Sequence, residues 1–148
     1  MEILTLKPFR KGYTTGVYDL FHIGHLNLLR RAKEMCDYLI VGVSVDELVA
    51  YKNKRAVIPF AERIEIVRAI QYVDEAVPQE NMNKLEALDK YHFDVMFVGD
   101  DWKGTEKWNA IERELNERGV ELVYFPYTVG TSSTLINEVL LDLRSRPR

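Results

Sequence analysis

Two histidines stand three positions apart in "GVYDLFHIGH" (16–25), with a glycine before the second and an acid, Asp19, three residues before the first. The chain has 3 histidines in all, so two of them are concentrated in one short stretch. His22 and His25 fall where an apolar run stops and a helical pattern begins. A helix start already carries free backbone N–H groups and the positive end of the helix dipole, and an imidazole there adds another donor. Gly24 removes a side chain at the same place, so a ligand can approach the backbone. This set suits the holding of phosphate oxygens. Metal coordination is the weaker reading, because two histidines need a third ligand and His92 falls on an exposed helical stretch. The plain alternative is that both rings only cap and pack the helix start.

Three more polar stretches deserve the same weighing. Lys52, Lys54 and Arg55 form a charge cluster. Such clusters are usually a solvated loop, but this one would suit a mobile phosphate. "GDDWKG" (99–104) puts two acids beside an aromatic. Asp100 and Asp101 serve equally as turn residues and Trp102 as core. As a ligand site the trio offers a flat stacking face and carboxylates for amino or hydroxyl groups. "YTVGTSST" (127–134) opens the last helix. Thr131, Ser132 or Ser133 can cap that helix, and the same hydroxyls and amides can face phosphate.

Elements must position these groups, and the chain alternates. Short apolar or β-branched runs predict strands over 12–17, 38–44, 75–78, 94–99 and 120–126. Helical spacing predicts helices over 25–35, 59–73, 83–91, 107–119 and 132–143. Pro59 opens the second of these helices and Gly119 closes the fourth. The order predicts an α/β, Rossmann-like, doubly wound parallel sheet of about five strands with helices on both faces. All four polar stretches leave the carboxyl end of a predicted strand, the edge where such sheets bind ligands.

The bulk properties narrow the class. The 148 residues suit one domain over 1–148, and 47% hydrophobic content supplies a core. With 20 basic and 23 acidic residues the net charge is -3. That argues against a nucleic-acid or anionic-membrane binder. The single cysteine, Cys36, excludes an internal disulfide and reads as a small buried hydrophobe. The first twelve residues lack an apolar signal core, and no run reaches the roughly 18 residues of a membrane span. A cytoplasmic location is expected.

Together, "GVYDLFHIGH", "VGDDWKG" and "YTVGTSST" make the chain resemble the small cytidylyltransferases, the glycerol-3-phosphate branch most of all, from Tyr13 onward. The H-x-G-H element alone marks only the wider nucleotidyltransferase superfamily, and "GDDW" is the more specific part. The resemblance implies transfer of CMP from CTP to the phosphate of a small phospho-alcohol. It implies magnesium bound with CTP, no protein metal site and a homodimer. By the same resemblance His22, His25, Asp19 and Lys52 are the catalytic set, and Lys52 and Lys54 hold the acceptor phosphate. Gly16, Val17, Tyr18, Gly24, Arg63, Gly99, Asp100, Asp101, Trp102, Thr128, Thr131, Ser132 and Ser133 are implied at the nucleotide. Two positions depart from the family pattern, where Tyr127 and Gln71 replace arginines. Arg10, Lys11 or Lys103 could supply the missing positive charge. Other readings are phosphocholine or phosphoethanolamine as acceptor, adenylyl transfer of the FAD-synthase type, and a nucleotide sensor without turnover. A purely structural domain is the last.

Overall fold

A computed structural model describes residues 6–51, 54–126 and 133–145. The chain runs β1 (Phe9–Gly16), α1 (Ile23–Met35), β2 (Cys36–Ser44), α2 (Asp46–Tyr51), α3 (Phe60–Arg68), β3 (Glu75–Gln79) and α4 (Lys84–Tyr91). It continues through β4 (Val95–Gly99), a single 3-10 turn (Asp100–Trp102), α5 (Glu106–Glu117), β5 (Glu121–Phe125) and α6 (Ser133–Ser145). The five strands form one sheet in the order β3-β2-β1-β4-β5. Every neighbouring pair is parallel. The predicted α/β, doubly wound class is what the chain adopts.

Two apolar layers cover the sheet. Leu29 and Ala32 of α1 and Ile64 and Val67 of α3 pack on Leu39, Val41, Val43, Val95 and Phe97. On the other face Leu88 of α4 and Trp108 and Leu115 of α5 pack on Tyr13, Ile40 and Met96. Apolar residues therefore sit on both sides of β2 and β4, which is why those strands read as unbroken hydrophobic runs. At Gly12 the strands leave no room for a side chain: an added Cβ would lie 2.5 Å from the Phe97 ring and 2.8 Å from Cys36 Sγ.

Two boundaries and one helix differ from expectation for identifiable reasons. β1 begins at Phe9 because its pairing with β2 starts at Phe9 opposite Cys36, and Lys11 N–H donates to the Asp94 carboxylate. The helix expected over 59–73 ends at Arg68. Beyond it the chain turns so that Asp74 N–H reaches the Leu39 carbonyl and the Asp74 carboxylate meets Leu39 N–H and Lys33. α2 was absent from the sequence reading, since its six residues are too few to show a helical period.

The connection between strands reverses direction beside β1. β2 and β3 build outward on one side, and the chain then crosses back to lay β4 on the other. β1 pairs with β2 over seven positions but with β4 over only two, Gly12 with Val95 and Tyr13 with Met96. Toward their carboxyl ends β1 and β4 therefore part, and the crevice of a doubly wound sheet opens there.

Candidate active site

The histidine loop leaves β1 at this crevice. Tyr18 and Leu20 adopt positive φ angles of 56° and 50°, a sparsely populated region for side chains of this size. The Tyr18 ring is buried and lies against Gly16, where an added Cβ would come within 2.9 Å of it. Tyr18 can thus offer a nucleotide its backbone, while its ring belongs to the core. Backbone strain of this kind persists only where its surroundings hold it in place.

His22 is the N-cap of α1 and His25 is its third residue. Gly24 N–H donates to His22 Nδ1 at 3.0 Å, and His22 N–H donates to His25 Nδ1 at 3.2 Å. The two rings stack with centroids 3.8 Å apart. Capping and ligand binding are therefore compatible roles. Because each Nδ1 accepts a proton bond, each neutral ring carries its own proton on Nε2. Burial pulls the His22 pKa below the ordinary value. Burial, reinforced by His22, pulls His25 down to about 4, against a smaller upward influence from Asp19. At neutral pH the pair is uncharged and presents two Nε2–H donors beside the helix N-terminus.

Asp19 acts through the loop. Its two carboxylate oxygens accept the N–H groups of Val57 at 2.8 Å and Ile58 at 2.9 Å. Arg63 ties the same segments from below. Fully buried, it donates to the carbonyls of Ile58, Val17 and Ser44 and to the Asp46 carboxylate, all at 2.7–2.8 Å. Asp46 also accepts Phe60 N–H, and with Arg63 this holds its carboxyl below the usual range. Arg63 was expected at the nucleotide. In this structure its guanidinium is enclosed by protein acceptors, so it positions the histidine loop and the 54–59 segment. The sequence reading missed Asp46, although an Asp-Glu pair opening "DELVAY" is a helix-start signal.

The remaining candidates divide by place. Lys54 and Arg55 are exposed beyond α2. Gly99 ends β4, and an added Cβ there would meet nothing within 4 Å, so the backbone is open to a ligand. Asp100, Asp101 and Trp102 are exposed, and the indole is 55% accessible. Trp102 is thus not core; Trp108 fills that role. Ser133 is the first residue of α6. Lys52, Tyr127, Thr128, Thr131 and Ser132 lie outside the described residues. Of the cations considered as replacements for the two arginines, Arg10 and Lys11 sit near the amino end of β1. They are roughly 16–20 Å along the strand from Gly16 and cannot serve the crevice. Lys103 follows Trp102 at the correct edge, with its Nζ 5.8 Å from the Tyr124 ring centroid.

Among the described residues no group of three or more His, Cys, Asp or Glu side chains could hold a metal ion. No described helix is long and apolar enough to cross a membrane.

Comparison with known proteins agrees with this geometry. A glycerol-3-phosphate cytidylyltransferase of Bacillus subtilis is 38% identical over 135 residues, covering 90% of this chain and 99% of the relative. An ethanolamine-phosphate cytidylyltransferase of Mus musculus is 46% identical over 128 residues, covering 85% of this chain but 31% of that protein. A lipopolysaccharide core biosynthesis protein of Thermoplasma volcanium shares the fold, with a TM-score of 0.69, 21% identity and coverage of 83% of this chain and 99% of that one. The cytidylyltransferase-like family model matches residues 13–139, and the chain belongs to that family of nucleotidyltransferases.

Proposed function

We propose that the protein transfers CMP from CTP to the phosphate of sn-glycerol 3-phosphate, releasing pyrophosphate and forming CDP-glycerol. The observation that carries this reading is the pair of Nε2–H donors set at the start of α1, in the crevice between β1 and β4. The similarity to glycerol-3-phosphate cytidylyltransferases over nearly the full length of both chains supports the acceptor.

The reaction needs little covalent chemistry from the protein. An oxygen of the acceptor phosphate attacks the α-phosphorus of CTP in line, the bond to the β-phosphate oxygen breaks, and pyrophosphate leaves. A phosphate monoester is already a competent nucleophile near neutral pH, so no strong base is called for. Catalysis then consists of placement and of donors aimed where negative charge grows. His22 and His25 supply those donors without needing to be charged. Lys52 and Lys54 hold the acceptor phosphate, and Trp102 with Asp100 and Asp101 receives the base and ribose. Magnesium enters as part of the CTP substrate, carried on phosphate oxygens and water, as is usual for this ion.

Pyrophosphate release from the purified protein tests this. Release with CTP, magnesium and glycerol 3-phosphate, and none when ATP replaces CTP, is the expected result. Release with ATP and flavin mononucleotide would replace the proposal with adenylyl transfer. Nucleotide binding without turnover on any acceptor would make the protein a sensor.

A further inference from the structure

The carboxyl edge of the sheet holds a second concavity, on the α4 side, between β1, the end of β3 and the start of α4. Its volume is about 60 Å³. At ~10–15 Å³ for each water, that is room for roughly four to six waters or one short polyol chain. Thr15 and Gln79 line its strand side, and Glu80, Lys84, Glu86 and Lys90 line the rest. Gln79 is buried; its Oε1 accepts the Ser44 hydroxyl at 2.6 Å, while its Nε2 reaches the Met82 sulfur at 3.7 Å, a weak acceptor. The Gln79 amide thus has donor capacity left for a better partner. Val45 N–H, just before α2, donates to the Gln79 carbonyl and holds the end of β3 beside β2. Thr15 immediately precedes Gly16 at the end of β1, where the histidine loop departs, so the cavity and that loop share one edge of the sheet.

The lining is balanced in charge, two carboxylates against two ammonium groups. A cationic tail would meet Lys84 and Lys90 as well as the acids. Tyr13 and Tyr91 also line the cavity, but their rings stack on each other at 5.6 Å and form no cage for an ammonium group. Hydroxyl groups, which both donate and accept, match such a mixed polar wall. We propose that this pocket receives the uncharged, hydroxylated tail of the acceptor and so selects polyol phosphates over phosphate esters bearing an ammonium group. The inference rests on the proposed transfer reaction for its biological meaning, and names Thr15, Gln79 and Glu80 as its specificity residues.

Acceptor binding by calorimetry, with and without a non-hydrolysable CTP analogue, and steady-state kinetics together test it. Glycerol 3-phosphate should bind at least tenfold more tightly than phosphocholine or phosphoethanolamine. Thr15→Val and Glu80→Ala should each raise KM for glycerol 3-phosphate about five- to tenfold, the loss of one hydrogen bond, with KM for CTP unchanged. Gln79→Leu should do the same; if it fails to fold, the other two variants still decide. Equal or tighter binding of phosphocholine or phosphoethanolamine would overturn the inference, as would variants that move only the KM for CTP or nothing. Selective polyol phosphate binding without pyrophosphate release would uphold the pocket and overturn the transfer reaction.

Discussion

At the scale of residues, the two Nε2–H groups of the histidine pair are the atoms left for a ligand, since both Nδ1 atoms are spent on the helix cap. Burial makes both rings harder to protonate in the folded chain than a free histidine, and His25 stays uncharged down to about pH 4. Between pH 6.5 and about 4 the unfolded chain therefore binds protons that folded His25 does not, and stability is lost as pH falls through that window. Thermal unfolding midpoints measured from pH 7 to pH 4 should fall, and His25→Gln should flatten part of the decline. Trp102 makes a separate prediction. It is exposed, so Trp102→Ala should leave the unfolding midpoint unchanged. If it stacks on cytosine, its loss weakens CTP binding by about 1–3 kcal/mol, or about 5- to 150-fold in KM. Quenching of Trp102 fluorescence by CTP checks the contact directly, with Trp108 buried as an internal reference.

At the scale of elements, the loops proposed to carry the chemistry are fastened to one another beneath the candidate site. Arg63 reaches three carbonyls and one carboxylate from three segments, at residue 17, at 44–46 and at residue 58. Arg63→Ala would strand those acceptors and should cost about 3–5 kcal/mol in urea unfolding. Arg63→Lys should recover only a fraction, because an ammonium lacks the planar fork that spans several acceptors. The close contact of β1 with β4 gives the second prediction. Gly12→Ala forces a methyl group into the Phe97 ring and Cys36 and should destabilise the fold by about 1–3 kcal/mol. Gly12→Ala touches no proposed substrate contact, so its activity should fall with the folded fraction, whereas Arg63→Ala also frees the histidine loop and should lower activity further.

At the scale of the whole molecule the parallel sheet and its carboxyl edge were legible because each strand is a bounded apolar run and each long helix keeps its period. The histidine loop was legible too, since glycine and two histidines at a strand-to-helix junction are an unusual concentration of donors. What escaped was set by tertiary contact. Arg63, implied at the nucleotide by resemblance, is enclosed instead by the carbonyls of Val17, Ser44 and Ile58, which only the folded chain brings together. Arg10 and Lys11 read as neighbours of the motif until β1 is seen to start at Phe9 and carry them to the far edge. The pocket beside α4 joins β1 to the end of β3 across β2, and no local pattern announces such a pairing.

The most direct test separates the two jobs of His25, capping through Nδ1 and donating through Nε2. His25→Asn places an amide oxygen near the Nδ1 position, keeping the cap acceptor and removing the distal donor. His25→Gln reaches toward the Nε2 position with an amide donor and gives up the cap. The measurement is kcat for pyrophosphate release by both variants, alongside their unfolding midpoints. His25→Asn should stay folded but lose about 100- to 1,000-fold in kcat, the cost of removing one charge-stabilising donor, while His25→Gln should retain more activity despite a lower midpoint. Near-native turnover by His25→Asn would contradict this and reduce the pair to a helix cap.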